Sequence, residues 1–123
     1  MEKVENAEEI IAYLKQSREE LIMMYREIGE KIALRYINDK ILDYESFLLI
    51  ETLYNETLYP KDYSDCYDEL RSVMDAYQDG LWNDLEESFD EHVRDKSDVS
   101  LNAIARGFVD GVMEFWLEIK DQV

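Results

Sequence analysis

The chain has 123 residues, with 30 Asp and Glu against 13 Lys and Arg, for a formal net charge of -17. That length fits one small domain covering residues 1–123, and 46% hydrophobic with 12% aromatic residues excludes a disordered acidic tail. One proline and four glycines leave few places to interrupt helices, and a lone cysteine excludes both an internal disulfide and a Cys-based zinc site.

Asn6, with Glu9 three residues on and Ile10-Ile11 behind it, predicts a capping box. Ile11, Leu14, Leu21, Tyr25, Ile28 and Ile32 then recur in steps of three, four or seven, as one helix face requires. Ser17 with Glu20 repeats the capping pattern and marks where a break would fall. Residues 12 to 28 contain no Gly or Pro, however, and predict one long helix over 6–37, turning at Asn38-Asp39-Lys40. Within it, Leu21-Ile22-Met23-Met24-Tyr25 is apolar around the whole circumference. Such a segment is buried on two sides, by its own fold or by a second chain.

A second helix is predicted over 44–56, carrying Phe47, Leu48, Ile50 and Leu53-Tyr54. It stops before Tyr59-Pro60, because the residue preceding proline is biased out of helical dihedrals. After a loop, helix 64–78 turns Cys66 or Tyr67, Leu70, Val73, Met74 and Tyr77 inward, and Gly80 either divides it from helix 81–95, with Leu81, Trp82, Leu85, Phe89 and Val93, or sits inside one longer helix at a cost of ~1 kcal/mol. Asp98 or Ser100 offers the cap of a last helix, 99–120, whose stripe is Leu101, Ile104, Ala105, Phe108, Val112, Phe115 and Ile119. Gly107 and Gly111 lie four apart beside that stripe, a spacing that lets a neighbouring helix come close. The predicted fold is therefore all-α: a single-domain bundle of about five helices with a long N-terminal helix. Its expected core is Leu14, Leu21, Ile28, Ile50, Leu70, Leu85, Phe89, Ile104, Phe108, Val112 and Phe115. No apolar run approaches the ~18 residues of a membrane span, and no basic leader precedes an apolar one. A cytoplasmic protein that avoids anionic membranes is expected.

From about residue 53 to 119 the chain resembles a family of small, functionally uncharacterised helical proteins from bacteria and their mobile elements. Leu53-Tyr54-Asn55-Glu56-Thr57-Leu58-Tyr59-Pro60 is similar to the family's Leu-Tyr-x-Gly-x-Ile-x-Pro run, with Glu56 where the family has glycine. Arg106-Gly107-Phe108-Val109-Asp110-Gly111-Val112-Met113-Glu114 is similar to its closing helix. The resemblance implies a compact helical assembly and carries no activity with it.

The residues that would carry chemistry point away from an enzyme. A helical di-metal site wants Glu-x-x-His, and Phe89 stands three residues before His92, the one histidine. No EF-hand register occurs either. Cys66 sits among Asp65, Asp68 and Glu69, which would raise its thiol pKa and blunt it as a nucleophile. No cofactor or metal is expected. Direct nucleic-acid binding is not expected, because Lys15, Arg18, Arg26, Lys31, Arg35 and Lys40 are interleaved with Glu19, Glu20, Glu27 and Glu30 rather than gathered in a stripe. Arg26 with Glu30 and Glu27 with Lys31 have the spacing of surface pairs.

The acidic charge is the functional clue. Residues 61 to 91 hold eleven acids against Lys61 and Arg71, a net -9. One-signed charge at that density steers a basic partner surface inward. Tyr59 and Tyr63, from the tyrosine-rich run Tyr54, Tyr59, Tyr63, Tyr67, are the expected anchors beside it, since tyrosine is enriched at interface hot spots. The partner-binding set is thus Tyr59, Tyr63, Asp65, Asp68, Asp84, Glu87, Asp90 and Glu91, and the partner a basic protein surface such as that of a nucleic-acid-binding enzyme. In its sharpest form this is an inhibitor that imitates nucleic acid, by analogy with phage-encoded anti-CRISPR proteins. Magnitudes restrain it: one helix of that stretch spans ~46 Å, over which duplex DNA carries roughly 27 charges. The alternative is an assembly module that forms a homodimer through the N-terminal helix.

Overall fold

The structure is a computed structural model that describes residues 4–58, 65–77 and 81–123, and at 57, 58, 76 and 77 the backbone alone. The described residues form five α-helices: α1 (Ala7–Asn38), α2 (Tyr44–Leu53), α3 (Cys66–Tyr77), α4 (Leu81–His92) and α5 (Asp98–Ile119). A π-turn, Tyr54–Leu58, extends α2, and a 3-10 turn, Lys120–Gln122, ends α5. The described residues contain no strand, as the scarcity of helix breakers predicts.

The long helix α1 runs unbroken through Ser17. The predicted capping box at its start does not form. Asn6 lies in the left-handed region (φ 57°, ψ 43°) and its side chain makes no capping bond, whereas a capping side chain needs an extended backbone to reach the first-turn amides. At the other end Lys40 takes a positive φ of 58°. This lets its amide donate to the Ile37 carbonyl and the Ile41 amide to Tyr36, closing the helix in a Schellman motif. Helix α2 has the capping box instead: the Asp43 carboxylate accepts from the Ser46 amide, and Ser46 Oγ from the Asp43 amide. The cap of α5 is Ser97, neither the Asp98 nor the Ser100 offered by the sequence.

The framework is α1 against α5, lying side by side and running the same way. Arg26 abuts Gly107, Gly29 abuts Ile104 and Phe108, and Glu30 with Ala33 abuts Gly111. The backbones touch at these points. A Cβ on Gly107 would fall 2.0 Å from the Arg26 carbonyl oxygen, and one on Gly29 would fall 2.1 Å from that of Ile104. The close approach expected of Gly107 and Gly111 is therefore present, and its complement on α1 is Gly29 with Ala33.

Around this pair Ile50, Leu70, Leu85, Phe89, Ile104, Phe108 and Val112 are completely buried, as predicted. Rings from three helices meet edge to face there: Tyr36 with Phe108 and Phe89 with Phe108, centroids 5.8 and 6.0 Å apart. Helix α2 docks on the far end of α5, where Phe47 stacks on Trp116 at 5.1 Å and Trp116 Nε1 donates to Glu51 at 3.0 Å. Leu21, Ile28 and Phe115 are only partly buried, and Leu14 overturns its prediction at 56% exposure. The reason is length: α1 at 32 residues outruns α5 at 22, so among the described residues the first turns of α1 have nothing beside them. The segment 21–25 is likewise buried on one side, through Ile22 and Tyr25, while Met23 and Met24 remain exposed.

Candidate protein-binding surface

The acidic surface is carried by α3 and α4. Each packs through one narrow stripe: Cys66, Leu70 and Met74 on α3, and Leu81, Trp82, Leu85, Ser88 and Phe89 on α4. Successive residues of a helix turn by about 100°, so fixing those stripes inward drives the remaining positions outward. Asp84, Glu87, Asp90 and Glu91 all stand exposed on the outer arc of α4, and Asp68 and Asp75 on that of α3. Asp65 is exposed in the turn before α3, at a φ of 62°, and its carbonyl accepts the Glu69 amide. Tyr59 and Tyr63 fall outside the described residues.

These carboxylates are largely uncompensated. Among the described residues Asp65, Asp68, Asp84, Glu87 and Glu91 form no ion pair, and Asp90 meets only Lys96, at 3.2 Å on an exposed site. An exposed pair of that kind neutralises little. One other acid the sequence grouped with them is structural. Glu86 accepts from Trp82 Nε1 at 2.9 Å and from Tyr67 OH at 3.4 Å, and so turns back toward the protein. Tyr67 packs on Trp82 and Phe89, and its amide donates to Asn102 at 2.8 Å. Burial, then the charges of Glu86 and Asp90, push the Tyr67 hydroxyl up to about 12, so it remains a donor. Tyr67 therefore braces α3 against α4.

Helix α4 is held to α1 by a polar contact absent from any sequence pattern. The buried Ser88 hydroxyl accepts from Arg35 Nη2 at 2.8 Å and lies 3.4 Å from Tyr36 OH, while His92 Nδ1 bonds the Ser88 carbonyl. Beside it Lys31, Arg35 and His92 border a hollow of about 370 Å³ between α1 and α4. At the end of α4, Asp95 accepts from the Ser97 amide and hydroxyl and from Ser100 Oγ, each at 3.0 Å. Those bonds, the Ser97 amide first, hold the Asp95 carboxyl below its usual range. They also fix the corner from which α5 departs.

Cys66 is fully buried, and burial pushes its thiol up to about 12, against the opposing charge of Arg106. The rise is the one expected from the sequence, with desolvation its largest cause and the charges of Asp110 and Glu69 adding to it. His92 is exposed and bonded within its own helix. Arg26, expected to pair with Glu30, reaches Asp110 on α5 at 3.4 Å, and Asp110 also binds Arg106 at 3.0 Å. Among the described residues no group of three or more His, Cys, Asp or Glu is placed to hold a metal ion. No helix among them is long and apolar enough to cross a membrane. No known family, curated protein or solved structure matches the chain. What is established of its kind is an all-helical small protein.

Proposed function

We propose that this is a non-enzymatic interaction protein that presents the outer faces of α3 and α4 to a basic protein surface. The observation that carries the reading is the row Asp84, Glu87 and Glu91, spaced by three and four on one side of α4, exposed and without ion pairs among the described residues. A rigid scaffold lies beneath them, so the charges are held in fixed positions at little entropic cost on docking. A nucleic-acid-binding enzyme is the partner class with a matching basic groove, and occupying that groove would inhibit it.

The test uses purified nucleic-acid-binding enzymes and measures binding kinetics and inhibition. An enzyme retained by the native chain should associate about tenfold more slowly with Asp84→Lys/Glu87→Lys/Glu91→Lys, and raised salt should reproduce much of that loss, because steering between exposed charges is screened beyond ~8 Å. Reversal of Glu114 and Glu118, exposed on α5, serves as the control and should matter far less. Binding that ignores both salt and the triple reversal would assign the charge to solubility.

A further inference from the structure

A second surface, independent of the acidic one, lies at the free end of α1. A hollow of about 520 Å³ between α1 and the start of α5, bordered by Leu14, Leu21, Met24 and Val99, marks where α5 begins. Beyond that level, among the described residues, α1 stands alone. Ala7, Ile11, Leu14, Arg18, Leu21, Tyr25, Ile28 and Ile32 follow the alternating steps of four and three of a coiled-coil seam. In the second half of α1 this face is the covered one, with Tyr25 and Ile32 buried; in the first half Ile11 and Leu14 are 52% and 56% exposed.

We infer that the exposed half of this seam is covered by the same segment of a second copy of the chain, lying antiparallel across a two-fold axis. The order of charges along the helix selects both the partner and the direction. Glu8 and Lys15 are seven residues apart, so they occupy the same edge of the seam, one heptad from each other. In an antiparallel pair that edge meets itself: Glu8 of one copy faces Lys15 of the other, twice over. The apolar layer at the centre is then Ile11 against Leu14 in both directions. Arg18 comes over Ala7, a residue small enough to admit its stem, with Glu8 next in line to receive the guanidinium. On the opposite edge Ile10, also exposed, meets Ser17. A parallel pair would instead set Arg18 against Arg18 in the seam and leave Glu8 and Lys15 without partners. The self-complementary contact is of the isologous kind that closes a two-fold dimer. It also brings Val4, 65% exposed just ahead of α1, to the hollow at Leu21 and Val99 of the other copy.

Sedimentation equilibrium over a range of micromolar concentrations tests this on the full chain. The native protein should approach twice its 14.7 kDa chain mass. Leu14→Asp, or Ile11→Asp as a second variant, should weaken the dimer at least about a hundredfold while the helical circular dichroism stays unchanged, since neither side chain is part of the core. Lys15→Glu should weaken it about tenfold, and Glu8→Lys/Lys15→Glu should restore it. A chain that stays at monomer mass throughout overturns the inference and assigns the face to a different protein. A Leu14→Asp chain that still dimerises places the seam elsewhere, and a Lys15→Glu defect that Glu8→Lys does not repair rules out the antiparallel register. The measurement is made without any basic partner, so it stands or falls separately from the acidic surface.

Discussion

Replacing Gly107 with alanine tests the central joint of the fold. In an exposed helix the substitution is stabilising by about 1 kcal/mol, because alanine loses less backbone freedom. Here the new Cβ would lie 2.0 Å from the Arg26 carbonyl oxygen and 2.7 Å from its carbonyl carbon and Cα. Those are backbone atoms and cannot rotate aside, so α1 and α5 must part by more than about 1 Å to reach an ordinary carbon–oxygen contact. A gap of that size forfeits about a quarter to a half of the dispersion energy of each contact it opens, and the contacts at stake include Tyr36 on Phe108. Overpacking of this kind costs about 1–3 kcal/mol, sometimes more. With the obstacle a backbone, the cost lies at the upper end or just beyond it, about 3 to 4 kcal/mol, and the propensity gain leaves a net loss of about 2 to 3 kcal/mol. At about 2.1 cal/mol/K of unfolding entropy per residue, that lowers the melting temperature by roughly 8 to 12 °C. Urea and thermal unfolding followed by circular dichroism would measure it. Gly29→Ala should cost as much, since its Cβ would meet the Ile104 oxygen at 2.1 Å, whereas Gly111→Ala should destabilise by less, because its nearest obstacles, the Ala33 Cβ at 2.9 Å and the Glu30 Cα at 3.1 Å, are further away although neither can rotate aside. The double replacement at Gly29 and Gly107 should fall short of additive, because the first already separates the helices. A Gly107→Ala protein as stable as the native one would refute the close α1–α5 contact.

Three further outcomes follow from the site geometry. Cys66 should resist thiol reagents at neutral pH until the protein unfolds, and stability should decline in alkali. Its folded pKa of about 12 exceeds the ordinary 9.0, so the contribution is complete below pH 9 and is lost as pH rises toward 12, up to about 4 kcal/mol. Tyr67, also raised to about 12, adds a loss of the same sign above pH 10; rapid Cys66 labelling of folded protein would contradict the burial. Ser97→Ala should cost about 1 kcal/mol in urea unfolding through the lost α5 cap. The Asp95 contribution, with its carboxyl lowered by the Ser97 amide and hydroxyl and by Ser100, should be present above the usual carboxylate pKa and vanish as pH falls through the folded value, and an Asp95→Asn chain with the same acid profile would count against it.

Sequence alone determined which segments are helical and which face of each is apolar, since these are local properties of spacing and composition. The stripe Ile104, Phe108, Val112 is buried as its period requires, and Gly107 with Gly111 announces a close neighbour. It also determined the outward arc of α4: once Leu85 and Phe89 face inward, Asp84, Glu87 and Glu91 have nowhere else to point. What it left open is everything that depends on where one helix ends beside another. Leu14 carries the same signal as Ile32, yet only Ile32 has α5 alongside it. Arg26 has a glutamate at the right local spacing, and nothing local shows that the depth of the α1–α5 contact brings Asp110 within its reach. Glu86 looks like its acidic neighbours until Trp82 and Tyr67 are packed around it. Gly29 gives no local sign of the Ile104 carbonyl that excludes a side chain there. Periodicity fixes direction around a helix axis, and only tertiary packing fixes what lies in that direction.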